Sequence, residues 1–247
     1  MIKKIGKLLL SFILVPGAVI GLFVVLNENG YFDLNRIEIL MENASQQRHA
    51  LRARVERLQK DLSAYQGQSL WNLGLNRVTS RIREENWIES FHVVRKWPST
   101  LEIQVKSYPV LFVFLSKKGE FHPVLASGDF LESISAGQVP DVPLVRDEMF
   151  RKNRDLRQKL IRLLKDVPTQ GRFSRSEISE IHYDAKNGFS FTLVREGLLV
   201  KIGEDQIRMK SLRVSRVLEY LDSKKFQARV IDANLSQKVL VRLRKQP

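Results

Sequence analysis

The 247-residue chain contains no cysteine. That removes disulfides, thiolate metal sites and cysteine nucleophiles together. It suits either side of a membrane, because an oxidising compartment penalises only thiols that are present. Histidine is scarce: His49, His92, His122 and His182 stand far apart, and none has a second histidine three or four residues away. No helical metal site is therefore visible. The glycine patterns that cradle phosphates or dinucleotides are absent. Gly67-Gln68-Ser69 begins like a nucleophile elbow, but Leu70-Trp71 breaks the G-x-S-x-G pattern. Glu84 and Glu85 are adjacent, so on a helix they point about 100° apart and cannot share a substrate. The chain reads as a non-enzyme with no catalytic residues, metal or cofactor and no small-molecule substrate. Carboxylates brought together only by tertiary folding stay open at this level.

Acidic residues are outnumbered: 27 against 41 lysines and arginines, a net charge of +14. Such a balance attracts nucleic acid, anionic lipid or acidic partners without choosing among them. A nucleic-acid reader would need an RNP-like strand, zinc-ligand spacing or a base-reading basic helix. None is present, so nucleic acid is not an expected partner. Arg48, Arg52, Arg54, Arg57 and Lys60 cluster in one helical stretch, which reads as a solvated helix face.

One stretch lacks charge altogether. Leu8 to Leu26 holds nineteen residues without a charged side chain, preceded by Lys3, Lys4 and Lys7. At about 1.5 Å per residue it spans roughly 28 Å, close to a bilayer core. The lysines favour a cytoplasmic amino terminus. A cleaved signal peptide would have a shorter apolar stretch, about 7–15 residues. Here mostly apolar residues continue from Ala18 to Leu26, so an uncleaved anchor is the expectation. Pro16 and Gly17 are tolerated in a membrane helix.

After a linker (residues 27–33), Ile37, Ile39 and Met41 alternate as in a strand. Leu51, Val55, Leu58 and Leu62 give a helix over 46–64, and Asn76 to Asn86 a second. Phe91–Arg95 and Leu101–Val105 make a hairpin around Trp97-Pro98-Ser99, where proline excludes helix. The order β-α-α-β-β is a two-layer unit. Beyond Tyr108, strands are expected at 110–115, 120–124, 178–183, 189–194, 198–202, 228–231 and 238–244. Helices are expected around Leu156–Leu164 and after Asp205, which would cap the second. Residues 125–145 read as a loop. The fold class is α+β: a tail (1–7), a transmembrane helix (8–26), one domain over 33–107, and a second β-rich domain over 108–247.

Residues 67–105 are the most distinctive. They run G-x-S-L-(aromatic)-x-L, a helix, then Trp87-Ile88, Val93, Arg95, Trp97-Pro98 and Thr100-Leu101. This pattern resembles the POTRA domain of the bacterial cell-division family FtsQ/DivIB. Leu199 to Gly203, Lys210, Leu212 and Val230-Ile231-Asp232 resemble the ending of that family, with Asn234 where arginine is frequent. The resemblance implies a single-pass inner-membrane scaffold of the divisome at the division septum, with its bulk outside the cytoplasm. The first domain would serve recruitment. The second would bind the membrane coiled-coil pair FtsB/FtsL (DivIC/FtsL) and so influence septal peptidoglycan synthesis. It also implies strand addition at the last strand, with Leu235, Gln237, Lys238, Val239, Leu240, Val241, Arg242 and Leu243 as partner-binding residues. Val239, Val241 and Leu243 would face the core; Lys238, Leu240, Arg242 and Arg244 would face out. Basic side chains there would either protect an edge or steer an acidic partner. An alternative is a secretion or envelope-assembly factor handling exported polypeptides. A peptidoglycan hydrolase is a third reading, one that needs converging carboxylates.

Overall fold

A computed structural model describes the backbone of residues 2–42, 44–235 and 238–244, with side chains for 15–42, 50–235 and 238–244. The chain divides into two units, Met1–Asn43 with Arg52–Ser107, and Ala44–Leu51 with Tyr108–Pro247.

The first unit begins with α1 (Ile2–Glu28). The expected span 8–26 lies within it, but only residues 15–26 have described side chains. That part is about 18 Å long at the helical rise, shorter than a bilayer core. Among the described residues no helix is long and apolar enough to cross a membrane.

Next come β1 (Arg36–Met41), α2 (Ala44–Leu62, of which the part from Arg52 belongs to this unit), α3 (Leu75–Arg83), β2 (Ile88–Lys96) and β3 (Thr100–Ser107). The sheet order is β1-β3-β2, with β1 parallel and β2 antiparallel to the central β3. This is the β-α-α-β-β arrangement of the sequence pattern. The signature residues mostly pack. Leu70, Leu73, Val78, Ile82, Trp87 and Leu101 are buried. The Trp87 indole N–H donates to Glu85 at 2.7 Å. The Arg95 guanidinium donates to the Leu73 carbonyl at 2.9 Å, tying β2 to the loop before α3. Strand alternation would put Glu102 in water, yet it is buried. Lys96 and Gln104 cover its carboxylate, and their hydrogen bonds hold it below the usual carboxylate range, against the opposing effect of desolvation.

The second unit holds β4 (Val110–Leu115), β5 (Phe121–Leu125), β6 (Leu144–Val145), α4 (Met149–Lys152), α5 (Arg154–Asp166), β7 (Ile178–Asp184), β8 (Gly188–Leu193), β9 (Leu199–Gly203), α6 (Ile207–Ser223), β10 (Ala228–Asp232) and β11 (Leu240–Leu243). All eight strands form one sheet in the order β11-β10-β9-β8-β7-β6-β4-β5. Phe112, Phe114, Phe150, Phe189 and Phe191 fill a core that α5 and α6 share through Leu160, Leu164, Val214 and Leu221.

Several features of this unit go beyond or against the sequence expectation. The 125–145 loop contains β6, whose two residues pair in parallel with both β4 and β7 and so join two halves of the sheet. Two residues are too few to show periodicity. Asp205 does not cap α6: Gln206 occupies the cap position in the left-handed region, with no side-chain cap bond. Lys210 draws the Asp205 carboxylate away. Finally, α6 buries Lys210 and Ser211 alongside its apolar stripe.

Leu101, near the start of the central strand β3, has no exposure, whereas Leu40 on β1 is 46% exposed. Leu101→Ala is expected to cost about 2–5 kcal/mol through the cavity it leaves, and Leu40→Ala under about 0.5 kcal/mol. All three tryptophans lie in this unit, so urea unfolding followed by tryptophan fluorescence reads the difference directly.

A free sheet edge as the candidate binding site

Where the second unit could hold another chain is decided by its two sheet edges. At one end, the segment after β5 folds back on it. Phe121 bridges Ile134 and Val124 bridges Phe130, and the Leu131 and Ile134 N–H groups donate to the Pro123 and Phe121 carbonyls. That edge is occupied. At the other end lies β11, which among the described residues pairs with β10 alone.

The chain reaches β11 through a knot of hydrogen bonds around Gly203, Lys210 and Asn234. Gly203 ends β9 with φ +78°, and a Cβ there would overlap the Asn234 side-chain oxygen. Lys210, with 1% exposure, donates to the Ile202 carbonyl at 3.0 Å and to Asp205 at 2.6 Å. The Asn234 N–H donates to Asp232 at 3.0 Å, and its side-chain amide to the Asn187 carbonyl at 3.2 Å. The exits of β9 and β10, the start of α6 and the β7–β8 turn are thereby fastened together. The chain then turns back and returns as β11.

On β11 the Arg244 N–H donates inward to the Gln227 carbonyl at 2.8 Å. Hydrogen-bonding direction alternates along an antiparallel strand, so Arg242 and Leu240 also bond inward. The N–H and C=O groups of Val241 and Leu243 point to the open side. The bulge lies on β10, between Ala228 and Val230, and leaves the alternation on β11 intact.

Side chains divide as follows. Val239 and Val241 pack against the core. Lys238, Leu240, Arg242 and Arg244 are exposed. Leu243, expected to face the core, is 50% exposed: it pairs with Ala228, the first residue of β10, and no described residue pairs with it on the outer side. Leu235 is exposed in the preceding turn at 45%. Gln237 lies outside the described residues. The Arg244 guanidinium donates to the Glu196 carbonyl. Beside this end of the strand is a cavity of about 260 Å³ with an apolar floor including Leu198, Leu221 and Phe226 and a rim including Arg172 and Arg195. Nothing in the sequence pattern marks that cavity, because its lining comes from three separate segments spread over residues 172–228.

Other sequence candidates do not assemble into a site. Among the described residues no three histidine or acidic side chains come together as a metal site would need. Arg52 pairs with Glu56 at 2.8 Å on an exposed turn of α2.

Both units have counterparts among known proteins. Residues 49–108 match the FtsQ-type POTRA domain, and residues 113–234 match the C-terminal domain of cell division protein FtsQ/DivIB. The chain belongs to the FtsQ/DivIB family of cell division proteins. Among its relatives is the cell division protein FtsQ of Geotalea daltonii, 23% identical over 231 residues, which cover 90% of this chain and 80% of that one. The FtsQ of Syntrophotalea carbinolica is 28% identical over 186 residues, covering 72% and 64%. The cell division protein DivIB of Solibacillus silvestris is 30% identical over 99 residues, covering 40% and 33%. The FtsQ/DivIB model ends at residue 234, just after the knot and before β11.

The knot carries a pH signature. The Lys210 hydrogen bond holds the Asp205 carboxyl below its ordinary range. A depressed folded value means the contribution is complete above the unfolded value of about 3.9 and lost as pH falls through the folded one. Asp205→Asn should therefore show a smaller loss of urea stability than the parent between neutral pH and about pH 2. An equal loss in both proteins would contradict the assignment.

Proposed function

We propose that this chain is a membrane-anchored scaffold of the division machinery that captures an extended segment of a partner protein by adding it as a ninth strand beside β11. The open edge of β11 carries the proposal. Strand addition draws affinity from main-chain hydrogen bonds, and Val241 and Leu243 present two outward N–H and two outward C=O groups for them. The exposed cations Lys238 and Arg242 flank this edge. They steer an acidic segment toward it and discourage pairing with unrelated strands. A partner side chain at the end of the added strand would reach the apolar floor formed by Leu198, Leu221 and Phe226.

The partner that fits the family is the membrane coiled-coil pair of the FtsB/FtsL (DivIC/FtsL) type. Capture of that pair would link this scaffold to septal peptidoglycan synthesis. The first unit would serve recruitment to the septum. Support for the anchor comes from α1 itself. Val15, Val19, Ile20, Leu22 and Val25 are each more than half exposed. A helix apolar on all sides needs a non-aqueous surrounding. The charge-free run extends back to Leu8 and is preceded by three lysines, which orients the bulk of the chain outside the cytoplasm.

Proline tests the strand addition. Val241→Pro removes an outward N–H without touching the β10 ladder, a position where edge strands tolerate proline. Co-isolation of the coiled-coil pair from cells should fall by about tenfold or more, since one backbone hydrogen bond and the local strand geometry are lost. Circular dichroism should stay that of the parent. Leu243→Pro, at an exposed position, should act alike, while Leu240→Ser should retain capture. Undiminished capture by a folded Val241→Pro or Leu243→Pro protein contradicts the reading.

A further inference from the structure

The first unit exposes an aromatic cluster that its fold does not need. Trp71 in the loop before α3 and Trp97 in the β2–β3 turn lie 4.3 Å apart between ring centroids. Phe32 packs on both, at 6.2 and 6.0 Å. Tyr31 stands edge-on to Phe32 at 5.2 Å. Tyr31, Trp71 and Trp97 are 54%, 52% and 47% exposed, whereas Trp87 is fully buried. Four large rings gathered from three separate segments, three of them exposed and Phe32 half-buried beneath them, form a contact surface rather than a core.

The cluster is continuous with α1. Phe23 of that helix packs at 5.3 Å on Phe32 and at 5.3 Å on Trp71. The join is fastened by polar bonds as well. The Tyr31 N–H donates to the Leu26 carbonyl at 3.0 Å, and the Ser69 hydroxyl donates to the Asn27 side-chain oxygen at 3.0 Å. Helix end and cluster are one piece of structure. Phe23 also belongs to the charge-free run that ends at Leu26, only about 4.5 Å of helix rise further on.

We infer that this end of the first unit, presenting Tyr31, Phe32, Trp71 and Trp97, is a lipid-contact surface seated at the headgroup–acyl boundary of the membrane. The inference rests on α1 being the anchor. Given that anchor, Phe23 lies at the depth where the helix leaves the hydrocarbon, and the rings packed on it are held at the same level. Indole and phenol rings carry a large apolar body and one polar tip, the chemistry that concentrates at membrane interfaces. A protein occupant would have to enter the space between the helix exit and the bilayer surface. The consequence is that the first unit is held by its anchor and by four rings, and does not swing on the 27–33 segment as on a free linker.

Depth-resolved fluorescence quenching of the full-length protein in phosphatidylcholine vesicles tests this. The vesicles carry acyl chains brominated either near the headgroup or near the bilayer centre. Shallow bromines should quench up to about two-thirds of the emission, the share of two tryptophans in three, and deep bromines markedly less. The Trp71→Phe/Trp97→Phe protein, left with buried Trp87 and its blue-shifted emission, should lose almost nothing to either. Extraction at alkaline pH reads the anchor separately. A protein that stays in the membrane pellet but shows no quenching difference between parent and double variant overturns the lipid-contact surface and leaves the anchor standing. A protein released from the pellet overturns both.

Discussion

A strand has two rows of backbone hydrogen-bonding groups, and an edge strand satisfies only one of them within its own sheet. The second unit resolves this constraint differently at its two ends. At β5 the following segment turns back and supplies partners from Phe130 and Ile134. At β11 the described residues supply none, and Val241 and Leu243 keep their outward groups for another chain or for water. The eight-stranded sheet is closed on one side and open on the other. The open side carries exposed cations and ends beside a cavity with an apolar floor and a charged rim.

What makes β11 usable is how firmly its base is held. A single buried lysine, a left-handed glycine and an asparagine fix the ends of β9 and β10 and the start of α6. They hold that geometry without using any group that a partner would need. Lys210 is covered on all sides, and its carboxylate partner Asp205 is mostly solvated, with 72% of its side chain exposed. The pair therefore acts through its hydrogen bonds to the Ile202 carbonyl and across the β9–α6 turn rather than as a strong ion pair.

The sequence showed the β-α-α-β-β unit plainly because its elements are periodic and its turn is set by Pro98. It also showed most long strands and both main helices of the second unit. Its misses have physical causes. β6 is too short to have a period, and its place in the sheet comes from two parallel neighbours distant in sequence. Asp205 stands in a cap position by spacing, but a buried lysine five residues on competes for its carboxylate. Glu102 follows the outward phase of its strand yet is covered by Lys96 and Gln104. Leu243 keeps the inward phase, but the sheet ends there and leaves it exposed. The candidate edge itself was legible only through family resemblance, because strand addition uses backbone and leaves little mark on side chains. The aromatic cluster shows the converse. Trp71 and Trp97 belong to the recognisable motif, and only the fold separates their exposure from the burial of Trp87.

Amide hydrogen exchange on the full-length protein, free and bound to the coiled-coil pair, tests the open-edge account most directly. In the free protein the Val241 and Leu243 amides should exchange quickly, while those of Arg242, facing β10, and Arg244, bonded to the Gln227 carbonyl just before it, exchange slowly. On binding, the first two should slow strongly and the second two change little. Protection of Val241 and Leu243 already present in the free protein, or unchanged on binding, would contradict the account.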